Sequence, residues 1–134
     1  MLIKYFQQLA TILIIGLALA SGGCFNRLYQ KGYDEGVTRW KTEHFDDFYR
    51  RETRIYYRPE IALTEKQETA LKQIKRDEWN KLQATIIDQE NGRINGAQAM
   101  KQILEETEAS QQRFKPYLNA EQLAILKSLG WGIK

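Results

Sequence analysis

One cysteine, one histidine and two prolines are all that a chain of 134 residues supplies of residues that build sites and break helices. A single thiol excludes an internal disulfide, so the fold rests on apolar packing or on a second chain. With only one imidazole beside it, there is nothing within one chain from which to assemble a zinc centre, and neither metal nor cofactor is expected. A glycine-rich phosphate loop is missing too, and no serine stands in a nucleophile's setting. Glu105, Glu106 and Glu108 fan out around a helix and read as a solvated face, not as an acid/base pair. His44 reads as a partly buried helix residue. With no catalytic residue to assign, the chain is read as non-enzymatic. Net charge is also small: 20 basic against 17 acidic residues gives +3, and removing residues 1–23, which hold Lys4 and no acid, leaves 19 − 17 = +2. A near-neutral chain gives no reason to expect a nucleic-acid partner.

What is present begins with an apolar block. From Leu9 to Ala20 the sequence reads LATILIIGLALA, behind Lys4 and ahead of small residues. That is the layout of an export signal: basic region, apolar core, small-residue cleavage zone. Three fates fit it. Ala18-Leu19-Ala20 suits ordinary cleavage, which frees a chain starting at Ser21. Cys24, directly after Ser21-Gly22-Gly23, resembles the lipobox cysteine that is lipidated and becomes the first mature residue, although Ser21 stands where an aliphatic residue is usual. The third is an uncleaved anchor, because no charge lies between Lys4 and Arg27 and a helix of about 20 residues crosses a bilayer. Lipidation at Cys24 leads. All three imply export to a periplasmic location, and the lipid or the uncleaved N-terminal anchor also attaches the chain to the membrane.

The rest, 43% hydrophobic and 28% charged over the whole chain, suits one small all-α domain. LTEKQ at Leu63–Gln67 returns as LNAEQ at Leu118–Gln122. In the first, Thr64 is a helix N-cap and Gln67, three residues on, reaches back to the cap's own N–H: a capping box. In the second, Asn119 and Gln122 take those roles, with Leu118 and Leu123 as a hydrophobic staple. INGAQ offers a third box on Asn95 and Gln98. After Thr64, the residues Leu71, Ile74, Trp79, Leu82 and Ile86 share one stripe, as do Met100, Ile103, Leu104, Thr107 and Phe114 after Asn95. NGRING supplies the turn between, with Gly92 suited to the left-handed position past a helix end. Pro116 ends the second helix near Lys115, and a short last helix carries Leu123, Leu126 and Leu129. About four helices are expected in three segments: 1–23 as signal or anchor, 24–58 as one aromatic, basic amphipathic helix, and 59–134 as a helical hairpin with a short C-terminal helix.

Residues 24–58 hold most of the aromatics. Tyr29, Tyr33, Val37, Trp40, His44 and Phe48 follow three- and four-residue steps, and the segment ends in YRRETRIYYR. Arginine beside tyrosine favours partner binding through stacking, hydrogen bonds and apolar area. Trp40, Phe45, Phe48, Arg50, Arg51, Arg54, Tyr56 and Arg58 are therefore the candidate partner-binding residues. The same spacing suits a core face, and the arginines equally suit a solvated surface or anionic lipid.

An export signal, LTEKQ opening a long helix, a turn, a second long helix and LNAEQ opening a short one resemble the LTXXQ-motif, Spy/CpxP-like family of periplasmic proteins, over roughly Ile61 to Leu129. Asn119 stands where that family usually has Thr, a change that keeps the capping chemistry. The resemblance implies an all-helical protein, often a homodimer, that binds unfolded or envelope proteins without ATP as a chaperone or stress-response adaptor. It implies that Leu63, Thr64, Gln67, Leu118, Asn119 and Gln122 are structural caps. A membrane-tethered assembly factor for one specific envelope protein is the alternative.

Overall fold

The computed structural model describes Lys31 and residues 34–132. The leader, the question of lipidation at Cys24, and Tyr29 and Tyr33 all lie outside the described residues. The chain divides into two compact units, Met1–Thr38 and Arg39–Lys134. In the first, the described residues are helical. Everything below concerns the second. Its fold is all-α, and among the described residues no helix is long and apolar enough to cross a membrane.

From Arg39 to Thr42 the second unit begins helical (α1), but the single helix expected over 24–58 is not what forms. The chain is interrupted at Glu43 and His44, where His44 turns extended (φ −83, ψ 157) to cap α2, Phe45–Glu52. Asp46 and Asp47 occupy the first turn of α2 and Arg50 and Arg51 the last, the arrangement the helix dipole favours. The bend delivers α2's aromatic face to the next helix: Phe48 lies 5.0 Å from the Trp79 ring, and the Arg76 guanidinium sits 3.7 Å over Phe45. Turns follow through Ile61.

Helix α3, Glu65–Glu90, starts on the Thr64–Gln67 capping box. It buries Leu71, Ile74, Leu82 and Ile86, with Trp79 half-buried. Its end is a Schellman motif. Arg93 N–H donates to Asp88 C=O at 2.9 Å and Gly92 N–H to Gln89 C=O at 3.0 Å, with Gly92 at φ 70, where a side chain would be strained. Helix α4, Gly96–Phe114, begins on the Asn95–Gln98 box and returns along α3. Lys81 reaches Glu106 at 3.0 Å and Thr85 reaches Gln102 at 3.3 Å. Leu104, expected in the buried stripe, is instead 55% exposed. A 3-10 turn at Lys115–Tyr117 contains Pro116, and α5, Ala120–Ser128, starts on the Asn119–Gln122 box.

The two repeated motifs meet. Gln67 Nε2 donates to Gln122 Oε1 at 2.8 Å, and Gln122 Nε2 donates back to Gln67 Oε1 at 3.1 Å. Each oxygen also accepts its own cap's N–H, from Thr64 at 2.9 Å and Asn119 at 3.0 Å. Each nitrogen also donates to a backbone carbonyl, Gln67 to Tyr117 at 2.7 Å and Gln122 to Ile61 at 2.9 Å. Both amides thus use two donors and two acceptors, all that a primary amide has. Around them a core of Tyr56, Ile61, Leu71, Ile74, Phe114, Leu118, Leu126 and Trp131 closes.

Trp131 enters that core through a second Schellman motif, at the end of α5. Gly130 N–H donates to Lys127 C=O and Trp131 N–H to Leu126 C=O, each at 3.0 Å, with Gly130 at φ 89. On α3, Lys75 and Glu78 form an ion pair of 2.6 Å with side chains only 5% and 1% exposed. Two charges this deep give back most of their attraction as desolvation, whereas one charge left alone is costly.

Two expectations follow. Gln67→Leu strands the Thr64 N–H, the Tyr117 carbonyl and half the Gln122 amide, at about 1 to 3 kcal/mol for each group that stays buried, well above the roughly 1 kcal/mol of Thr64→Ala. In urea denaturation, the double variant Gln67→Leu/Gln122→Leu should cost less than the two singles summed. Likewise Lys75→Met should cost about 3 to 5 kcal/mol, and adding Glu78→Leu should recover most of it.

Candidate partner-binding groove

The last turn of α2 runs directly into two tight turns. Thr53, fully buried, ties both its N–H (2.9 Å) and its Oγ1 (2.6 Å) to the Tyr49 carbonyl. Tyr56 N–H then donates to Thr53 C=O at 2.9 Å, and Ile61 N–H to Arg58 C=O at 3.0 Å. These turns sort the side chains. Tyr56 and Ile61 point into the core, 3% and 2% exposed, while Arg54, Tyr57 and Arg58 face solvent. The result is an open groove of about 1090 Å³, walled by the arginines, Tyr49, Tyr57, Ile55, Pro59 and Leu129.

The eight candidate residues separate by burial. Phe45, Phe48 and Tyr56 are 9%, 1% and 3% exposed, which corrects the expectation that they contact a partner. Their apolar surface is spent on Trp79, on Arg76 and, for Tyr56, on Phe114 at 5.2 Å between ring centroids. Trp40 is half-buried and away from the groove lining, its carbonyl accepting from Gln83 Nε2 at 2.9 Å. Arg50, Arg51, Arg54 and Arg58 do line the groove.

These arginines differ in how far they are already committed. Arg51 donates to Glu43 at 2.9 and 3.2 Å and to Glu52; its hydrogen bond to Glu43, against burial, holds its charge more firmly than usual. Arg50 and Asp47 stand 3.8 Å apart and Arg58 and Glu60 3.6 Å apart, all exposed, so these pairs contribute little. Arg54 forms no ion pair among the described residues. Asp46 and Glu52 are the acids in the lining, and Asp47, Glu43 and Glu60 approach Arg50, Arg51 and Arg58 from outside it, so Arg54 is the lining arginine left without a carboxylate partner among the described residues.

Tyr49 and Tyr57, unremarked by the candidate list, complete the polar surface. Their hydroxyls are 2.7 Å apart. Burial, followed by this bond and the charge of Glu68, lifts Tyr49 well above the ordinary phenol range. The bond between the two hydroxyls uses one O–H, which leaves the other as a donor. A second, smaller groove of about 600 Å³ adjoins the first, sharing Ile55 and Leu129 and extending over Leu104, Gln111 and Trp131. Among the described residues no group of His, Cys, Asp and Glu is placed to hold a metal ion.

The floor of this region titrates. Burial pushes Tyr56 from 10.0 up to about 12, opposed by the Trp131 Nε1–H that donates to its oxygen at 2.6 Å. Because the folded pKa is the higher one, stability is complete below pH 10 and is lost as pH rises towards 12, where the unfolded chain gives up a proton that the folded chain keeps. The expected loss is about 3 kcal/mol. Tyr56→Phe should reduce the alkaline slope in pH-dependent urea denaturation by the Tyr56 share and leave that of Tyr49, whose pKa is also raised. At neutral pH it should be less stable by about 1 to 3 kcal/mol, since Trp131 then lacks an acceptor. Comparison of the chain with protein-family models, with curated proteins and with solved structures finds no match.

Proposed function

We propose that this chain is a non-enzymatic, exported helical binding protein of the ATP-independent periplasmic chaperone or envelope-stress adaptor type, held at the membrane by a lipid on Cys24 or by its N-terminal anchor. The observation that carries this reading is the open groove beside α2, whose lining combines Arg50, Arg54 and Arg58 with the hydrogen-bonded Tyr49–Tyr57 pair. Arginine and tyrosine in a concave, partly apolar setting favour protein contacts. The export-type leader and the paired capping motifs add support, because they carry the resemblance to periplasmic LTXXQ proteins.

A second reading, a tethered assembly factor for one envelope protein, is favoured by a separate observation. Among the described residues the exposed large apolar side chains are Tyr57 in the turns after α2, Ile87 on α3, Leu104 on α4 and Tyr117 in the 3-10 turn. A general holder of unfolded chains needs contiguous apolar surface, whereas a dedicated binder needs only one shaped site.

Light scattering from a refolding model protein, with and without the full chain in zwitterionic nanodiscs, tests the first reading. Suppression at near-stoichiometric ratio without ATP is the expected outcome. A folded, helical sample that leaves aggregation unchanged removes general chaperone activity and leaves the dedicated-partner reading.

A further inference from the structure

The groove's charge and shape define its occupant more narrowly than the class of binding protein does. Its lining holds Arg54, which has no ion pair among the described residues, and Arg50 and Arg58, whose exposed partners Asp47 and Glu60 stand 3.8 and 3.6 Å away. Its floor is apolar: Ile55, Pro59, Leu129 and the Tyr49 ring. Past Ile55 and Leu129 the surface continues into the second groove, where Leu104 is 55% exposed and the only charge in the lining is Glu108. A ligand that satisfies both halves is elongated, with carboxylates at one end and apolar side chains along the rest.

Resting on the reading of the chain as a protein-binding module, we propose that the two adjoining grooves take an extended segment of a partner protein, with acidic residues against Arg54 and Arg58 and apolar residues over Ile55, Leu129 and Leu104. Guanidinium groups recognise carboxylates through paired N–H donors, and their ion pairs strengthen where the apolar floor excludes water. The unused Tyr49/Tyr57 hydroxyl proton offers one further donor to a peptide carbonyl or carboxylate. An anionic membrane surface supplies the same negative charge but is broad and flat, so it meets the tips of the arginines and leaves a concave apolar floor unfilled. Shape therefore favours a peptide over lipid headgroups.

The test uses the full chain in zwitterionic nanodiscs and three fluorescein-labelled peptides of twelve residues: one alternating Glu with Leu and Tyr, one with Lys for Glu, and one keeping Glu with Ser for the apolar residues. Fluorescence anisotropy should rank the acidic, apolar peptide at least tenfold tighter than either of the others, with the preference shrinking as salt is raised. Arg54→Glu/Arg58→Glu, both exposed and outside the core, should lose that preference with an unchanged melting temperature. Arg54→Gln/Arg58→Gln should lose part of it.

Equal binding of the acidic and basic peptides, or an acidic preference that survives charge reversal, overturns the proposal. So does nanodisc phosphatidylglycerol displacing the peptide and binding more strongly, which would assign the arginines to lipid. The aggregation assay separates the two failures. If both arginine variants suppress aggregation as well as the parent chain does, and no acidic preference exists, the binding-module reading stands and the acidic-segment assignment falls.

Discussion

Two glutamine side chains, Gln67 and Gln122, are the constraint on which the rest depends. Each closes the start of its own helix and simultaneously bonds the other, so two N-termini 55 residues apart in sequence share one buried amide pair. A capping box alone satisfies a local pair of N–H groups and stabilises one helix by about 1 kcal/mol. Joining two boxes makes local caps into a tertiary contact. It also explains why the motif occurs twice: one copy would leave half of each amide's hydrogen-bonding capacity unused inside the protein, at a cost.

The same pair reaches the groove. Gln122 donates to the carbonyl of Ile61, the last residue of the turns that present Arg54, Tyr57 and Arg58. Five residues earlier, Tyr56 is held by the Trp131 indole, which is itself placed by the Gly130 motif at the end of α5. Between and around these two pins the arginines are carried on backbone that has little freedom. Ala62, at φ 45, takes a left-handed conformation that disfavours any side chain, so the chain is turned sharply just where the Ile61 carbonyl must face inward.

How much of this was legible depended on the range of each interaction. The capping boxes span three residues, and their side chains can be named from order along the chain alone. Gly92 was readable for the same reason. The break at Glu43–His44 was not, because the aromatic spacing continues across it: Trp40, His44 and Phe48 keep helical steps although the helix stops and restarts. For Phe45, Phe48 and Tyr56 the neighbouring arginines and tyrosines suggest a contact surface while aromatic spacing suits a core face, and composition does not say which way a side chain points. Tyr56 is turned inward by Trp131, 75 residues away, and no local pattern encodes that bond. The sequence SLGW did hold a usable signal, a glycine just past the last helical residue followed by a large apolar one.

The proposed binding surface would work by dividing rigidity from adaptability. The backbone of the turns is fixed by buried bonds from Thr53, Trp131 and Gln122, so little ordering entropy remains to be lost there when a partner arrives. The arginine side chains keep theirs: Arg50 is 81% exposed and Arg58 48% exposed, each beside a carboxylate at more than 3.5 Å. Such loose pairs hold the charges near the groove without satisfying them, and a partner carboxylate replaces a weak neighbour instead of breaking a strong bond. Arg51 is the contrast. Its bonds to Glu43 tie the α1–α2 bend to the last turn of α2, so its charge serves the frame and not the ligand. Within one cluster that looks uniform in sequence, the fold has therefore separated a structural arginine from those left available for binding.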